Sequence, residues 1–246
     1  MIMFLKNKNI LVTGVGKGLG KNMVESFVKS GAFVYGVTRS RSDINKFKNL
    51  KNLKVYLGDV RNIRLINKIF KQSIKDKKII NCLVNNAGIR QRLKFQKISD
   101  KKIKDVFDIN FFSVFRIMRL YAKFCEENKI NSSIVNIGSI VGETGFNELS
   151  GYSSTKGALK SMTQCFAVEY AKKIRANIVN PGFIKTSYFE KFKKNKTLYD
   201  WTISKIPQNR WGESGEISSV VSFLLSDYSS YITGESINVD GGWLRS

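Results

Sequence analysis

Four side chains carry the chemistry that this sequence could do: Asn110, Ser139, Tyr152 and Lys156. Tyr152 and Lys156 stand four residues apart in a stretch with helical spacing, so they share one helix face. A phenol is an effective general acid only if its pKa, about 10 unperturbed, is lowered. An ammonium beside it does this by favouring the phenolate. Upstream, Thr13-Gly14-Val15-Gly16-Lys17-Gly18-Leu19-Gly20 follows an apolar run and opens another helical pattern. A glycine-rich turn between strand and helix lets the backbone approach a pyrophosphate, with the helix N-terminus facing its charge. A phosphate cradle and a proton-transfer pair together point to hydride transfer between a nicotinamide and a carbonyl or secondary alcohol. A lone YxxxK is more often a solvated helix face. The preceding Ser139 and the glycine turn reverse that expectation.

The elements that must position these residues alternate. Asn9 to Val12 reads as a buried strand, Lys21 to Ser30 as a helix and Ala32 to Val37 as a second strand, which makes a βαβ unit. Leu53 to Leu57, Ile79 to Asn85, Ser133 to Ile137, Asn177 to Val179 and Ser236 to Val239 read as further strands. Ile63 to Lys75, Lys101 to Asn128, Ser153 to Ala171 and Glu216 to Leu225 read as helices. Repeated βα alternation with apolar strands predicts an α/β fold, a parallel sheet covered by helices on both faces. The segment from Ser187 to Trp211 breaks the rhythm. It is charged, rich in aromatics and follows a strand end, where ligands of such folds bind. It reads as a small helical lid over the substrate.

Composition sets the bounds. The 246 residues, 42% hydrophobic and with two prolines, contain no linker-like stretch and read as one domain, 1–246. The absence of histidine excludes histidine catalysis and the usual zinc sites. Cys82, Cys125 and Cys165 lie far apart, and the apolar runs around Cys82 and Cys165 predict buried structural thiols. The first residues are too short and polar for a signal peptide, and no apolar stretch spans a bilayer, so a reduced cytoplasm is expected. The net charge is +23, from 42 Lys+Arg against 19 Asp+Glu. Such an excess suits an acidic partner. Its scatter along a chain also rich in asparagine and isoleucine reads as compositional bias instead.

The motifs resemble the short-chain dehydrogenase/reductase (SDR) family, over essentially the whole chain. They appear in order: Thr13-Gly14…Gly18…Gly20, Asp59-Val60, Asn85-Asn86-Ala87-Gly88, Asn110, Ser139, Tyr152…Lys156, and Pro181-Gly182 before Thr186. The resemblance implies a single Rossmann-type doubly wound sheet and a catalytic tetrad of Asn110, Ser139, Tyr152 and Lys156. Ser139 would hydrogen-bond the substrate oxygen. Asn110 would hold a water linking Lys156 to solvent, and Lys156 would also bind the nicotinamide ribose. Asp59 would face the adenine amino group with Val60 beside it. Asn86, Ala87 and Gly88 would line the adenosine side. Thr186 would bond the nicotinamide carboxamide, beside Pro181, Gly182 and Ile184. A tetramer built from the two long helices is also implied.

Cofactor choice has a physical argument. An acidic residue ending the second strand binds the ribose 2′-hydroxyl and repels a 2′-phosphate. The matching residue is Thr38, followed by Arg39 and Arg41, with Lys17 inside the glycine turn. Three cations and no carboxylate predict NADP(H) over NAD(H), with Leu19 among the residues of the cradle. Two substrate readings remain. Segments such as Val135 to Ser139 and Tyr231 to Glu235 are similar to 3-oxoacyl-carrier-protein reductases, whose acidic carrier would suit a basic surface. Asn85 to Arg92 and Asp240 to Trp243 are similar to sugar-acid dehydrogenases. There Arg90 or Arg92 would grip a carboxylate. A non-catalytic nucleic-acid-binding protein on this fold would not need the tetrad, so no nucleic acid or membrane partner is expected.

Overall fold

The computed structural model describes residues 4–186 and 189–246. Seven strands form one parallel sheet: β1 (Asn9–Thr13), β2 (Phe33–Thr38), β3 (Leu53–Leu57), β4 (Cys82–Asn85), β5 (Ser132–Ile137), β6 (Ile174–Pro181) and β9 (Ser236–Val239). Their spatial order is β3-β2-β1-β4-β5-β6-β9. The order reverses between β1 and β4, which opens a crevice beyond their carboxyl ends. Two short strands, β7 (Ile184–Lys185) and β8 (Gly212–Glu213), pair separately.

Alternate strand residues feed two cores. Leu11, Leu83, Ile134 and Ile178 point to one face, where α3 (Ile63–Lys75), α5 (Ser113–Glu127) and α6 (Ser150–Tyr170) cover them. Val12, Val84, Val135 and Val179 point to the other, under α1 (Gly18–Lys29) and α9 (Ser214–Leu225). Both faces are covered, so the strands read as continuous apolar runs.

Buried polar groups tie the sheet to α6. Asn85 Nδ2 donates to Asn136 Oδ1 at 2.8 Å, and Asn136 Nδ2 donates to Thr163 Oγ1 at 2.8 Å. All three residues are buried, so these bonds act in low dielectric and fix the helix against the central strands.

Several sequence expectations change. The stretch 101–128 is not one helix. α4 (Asp100–Phe107) passes into a π-turn, Asp108–Phe112, before α5. A short helix, α2 (Arg41–Asn45), follows β2. The sixth strand is eight residues, longer than expected, because Arg175 lies in it: its guanidinium satisfies the carbonyls of Leu224, Ser226 and Ile232. Cys82 and Cys125 are buried, but Cys165 is exposed. Its neighbours Thr163 and Ala167 take the inward face of α6, and two residues along a helix point elsewhere. Of the expected lid, Ser187 and Tyr188 lie outside the described residues. The rest forms α7 (Phe189–Lys193), α8 (Lys196–Lys205) and the return to β8. Phe189, Phe192, Ile206 and Trp211 form its own aromatic-rich core, with Trp211 Nε1 donating to Thr202 Oγ1 at 2.8 Å.

Candidate active site

The glycine turn is locked from the neighbouring strand. Thr13 Oγ1 accepts from the main-chain N–H groups of Asn86 and Ala87 at 3.0 and 3.1 Å. The Asn86 side chain donates back to the carbonyls of Thr13 and Gly14 at 3.0 and 2.9 Å. Gly14 has φ +72°, in the left-handed region that favours glycine. A Cβ on Gly20 would sit 2.1 Å from the Gly14 carbonyl oxygen. The turn therefore stays a bare backbone surface at a helix N-terminus, the shape that a pyrophosphate needs.

A cleft of about 590 Å³ opens over this turn. Its lining includes Gly14, Lys17, Gly18, Leu19, Gly20, Thr38, Arg39, Asp59, Val60, Asn86, Ala87, Gly88 and Thr186. These residues fit a dinucleotide: backbone donors for the phosphates, cations beside them and a carboxylate at the far end. Asp59 is held by Arg61, whose Nε and Nη2 reach its two oxygens at 3.0 and 2.9 Å. That pairing holds its carboxyl below the usual range.

The expectation of no carboxylate near Thr38 is corrected here. Asp43, on α2, accepts from Thr38 Oγ1 at 2.9 Å and lines the same cleft. Lys46 Nζ stands 2.5 Å from its other oxygen and also donates to the Gly16 carbonyl at 3.2 Å. Lys46 keeps the carboxyl ionised, with Thr38 and Lys17 assisting. A five-residue helix has no apolar stripe, so sequence periodicity could not reveal it. The visible signal was only an acid four residues after Arg39.

A second cleft of about 760 Å³ continues past Lys17, Arg39 and Gly88 to the reaction end. Ser139, Tyr152 and Lys156 line it together with Arg90, Pro181, Gly182, Ile184 and Thr186. Ser139 follows β5 and caps a short 3₁₀ turn, Ile140–Gly142. Tyr152 and Lys156 share one turn of α6, and Lys156 Nζ lies 5.6 Å from the Tyr152 ring centroid. Lys156 is 6% exposed and donates to the Ile137 carbonyl at 2.6 Å. Burial lowers its pKa to about 8. Burial raises the Tyr152 phenol, while a hydrogen bond with Ser139 and the charge of Arg90 pull it down. Lys156 was expected to dominate Tyr152; here desolvation outweighs the charges.

Asn110 sits in the π-turn, and its side chain is fully engaged. Oδ1 accepts from Ile89 N at 2.8 Å, and Nδ2 donates to Ile89 O at 2.9 Å and Thr155 Oγ1 at 3.2 Å. Its side chain thus clamps the loop after β4 to α6, and the expected water would have to be held by other atoms. Arg92 lies outside the cleft lining, and its Nε pairs with Glu148 Oε2 at 3.2 Å. Phe192 and Trp211, from the segment read as a lid, wall this cleft together with Phe146 and Phe183, which sequence reading missed. The walls come from three separate segments, and only the fold brings them together.

A doubly wound sheet, a bare glycine turn and a Tyr–Lys pair whose ammonium is buried define a dinucleotide-dependent oxidoreductase. The family described as enoyl-(acyl carrier protein) reductase matches residues 14–244. The chain is 35% identical to the 3-oxoacyl-[acyl-carrier-protein] reductase FabG of Buchnera aphidicola subsp. Schizaphis graminum, over 98% of each chain. It superposes with TM-score 0.89 and 28% identity on an Agrobacterium tumefaciens protein assigned as a 2-deoxy-D-gluconate 3-dehydrogenase with NADP bound, over 99% of each chain. With 4-hydroxyisoleucine dehydrogenase complexed with NADH the TM-score is 0.91 at 32% identity, over 97% of this chain and 99% of the other. The chain belongs to the short-chain dehydrogenase/reductase family and is an NAD(P)-dependent oxidoreductase. Among the described residues, no helix is long and apolar enough to cross a membrane.

The buried ammonium has a consequence for stability. The folded protein binds the Lys156 proton less tightly than the unfolded chain, whose pKa is the ordinary 10.5. Between about pH 8 and 10.5 the unfolded chain holds more protons, so stability rises with pH through that window. The shift corresponds to a change on the order of 3 kcal/mol. Denaturant titrations across this range should show that slope in the cofactor-free protein, and Lys156→Met should lack it. Parallel profiles for the two proteins would refute the assignment.

Proposed function

We propose that Tyr152, Lys156, Ser139 and Asn110 form the catalytic group of a carbonyl reductase. The carrying observation is that a phenol, a buried ammonium and a hydroxyl meet in one cleft continuous with the glycine turn. When bound, the dinucleotide supplies the hydride. The protein's own part is the proton and the oxygen. Tyr152 donates its proton to the oxygen that becomes an alcohol. Ser139 orients that oxygen by a hydrogen bond. Lys156 favours the phenolate left behind and lies where it can reach ribose hydroxyls. Asn110 holds the loop on which Ile89 and Arg90 stand.

The substrate reading is a 3-oxoacyl group on an acyl carrier protein. Similarity to a FabG protein supports it, as does the aromatic wall of Phe146, Phe183 and Trp211, which suits an acyl chain. The segment 187–211 serves as a lid, with Phe192 and Trp211 facing the cleft. A sugar-acid dehydrogenase is the second reading, favoured by Arg90 in the cleft lining and by similarity to the gluconate-type neighbour. The protein acts in the cytoplasm in either case. NADPH oxidation measured with an acetoacetyl thioester and with ketogluconates separates the two. Tyr152→Phe keeps the ring and removes the proton donor. Turnover should fall by about 10²–10⁴-fold while NADPH binding persists. A variant with most of its activity would refute the role.

NADP(H) is the preferred cofactor on this reading. Arg39 and Lys17 stand at the cleft, and Lys46 neutralises Asp43, the one carboxylate beside Thr38. One charge-assisted bond to a 2′-phosphate predicts about tenfold tighter NADPH than NADH. Thr38→Asp with Arg39→Ile should reverse the order. Titration of both cofactors checks this, and tighter NADH binding in wild type would overturn it.

The assembly is a homotetramer. Phe115 on α5, Val168 on α6 and Phe112 in the π-turn leave apolar surface, with Val168 82% exposed. Light scattering at micromolar concentration should report four chains; a monomer would refute this.

A further inference from the structure

Behind the reaction cleft lies a polar cluster that the mechanism above does not use. Its centre is Asn180 on β6, 2% exposed. Asn180 Oδ1 accepts from the main-chain N–H of Ser139 at 3.2 Å. It packs so closely that a Cβ on Gly138 would lie 2.0 Å from it. The Nδ2 group faces three acceptors: Ser236 Oγ at 2.9 Å, Asn238 Oδ1 at 2.9 Å and Glu143 Oε1 at 3.2 Å. Ser236 Oγ donates to Glu143 Oε1 at 3.0 Å, and Lys160 Nζ stands 2.5 Å from Glu143 Oε2. Only this orientation of the amide satisfies every neighbour, since Ser139 offers a donor and the other side offers acceptors.

The spacing gives the cluster its meaning. Glu143 follows Ser139 by four residues, and Lys160 follows Lys156 by four on the same face of α6. The ion pair therefore joins the turn that carries Ser139 to the helix that carries Tyr152 and Lys156. Asn180 joins that turn to β6 and β9. The Ser139 hydroxyl accepts a 3.4 Å contact from Val141 N within its turn and shares a hydrogen bond with Tyr152. Its place against Tyr152 depends on its main chain. Asn180, Glu143 and Lys160 line neither cleft. They touch no reacting atom and act through Ser139.

We infer that Asn180 and the Glu143–Lys160 pair are positioning residues, which hold Ser139 at its distance from Tyr152 by clamping the turn between β6, β9 and α6. This rests on the reading of Ser139 and Tyr152 as reacting groups. Catalytic groups displaced by an ångström lose on the order of 10²-fold in rate, so a clamp of this kind matters to turnover.

Asn180→Asp tests it with almost no change of shape. The acceptor for Ser139 N–H stays, but a carboxylate oxygen now faces Glu143 and Asn238. The Ser139 amide hydrogen, followed by exchange with mass spectrometry, should exchange about tenfold faster or more. On the better of an acetoacetyl thioester and a ketogluconate, kcat should fall about 10- to 100-fold, with KM and NADPH affinity within about twofold. Adding Glu143→Gln places an amide donor opposite the new carboxylate and should bring both readouts back to within about threefold of wild type, the remainder being the lost charge of the Glu143–Lys160 pair, an outcome that a general loss of folding would not give. If Asn180→Asp does not fold, Lys160→Met breaks the pair at its surface end and should move both readouts about threefold in the same direction. Wild-type exchange in the variant, faster exchange with unchanged kcat, or no rescue by Glu143→Gln would each overturn the inference. Tyr152→Phe measured beside it separates the two failures. If that variant remains active, the reading of the reaction site falls, and the exchange data still decide whether the clamp exists.

Discussion

The reaction end of this protein depends on one ammonium group taken out of water. Lys156 is buried, with the Ile137 carbonyl 2.6 Å away. A buried cation is tolerated only where polar partners face it and the surroundings cannot relax away. The nearby structure meets that need. β5 presents its last carbonyl, and α6 is fixed by the Asn85–Asn136–Thr163 chain. Asn110 closes the top through Ile89 and Thr155. The same burial that costs stability also lifts the Tyr152 phenol, against the pull of Ser139 and Arg90.

The phosphate end follows a different logic. Little charge is buried there; what matters is that the backbone is bare. Thr13 and Asn86 use side chains to hold main chain, β1 to β4, so no side chain stands where a pyrophosphate would lie. Charge enters from the rim, at Lys17, Arg39, the Asp43–Lys46 pair and the Asp59–Arg61 pair. Geometry is thus set by the sheet, while cofactor choice is left to a few exposed residues.

Much of this was legible from residue types and spacing. Strands that alternate between two covered faces read as apolar runs, and the glycine turn and the Tyr152–Lys156 pair each span only a few residues, so local patterns expose them. What stayed hidden was whatever depends on distant segments or breaks a period. Asp43 sits on a helix too short to have a stripe. Arg92 read as a carboxylate grip or a salt bridge, and its partner Glu148 lies too far along the chain for local spacing to show it. Cys165 lies in an apolar run, yet helical phase turns it outward. Of the aromatic walls of the cleft, Phe192 and Trp211 lie in the segment legible as a lid, but Phe146 and Phe183 converge from two distant segments that do not announce it.

The π-turn at Asp108–Phe112 carries a last consequence. One extra residue in a helix advances its phase by about 100°, because each residue turns the chain by that much. α4 and α5 are therefore out of phase with each other. Val106 is buried on α4, and Ile117, Tyr121 and Cys125 are buried on α5. Removing a residue to make the helix regular would free Asn110 from its bulge, but it would also rotate Tyr121 and Cys125 out of the core. The irregularity that presents Asn110 is thus protected by packing several turns away. The site and the core can change there only together.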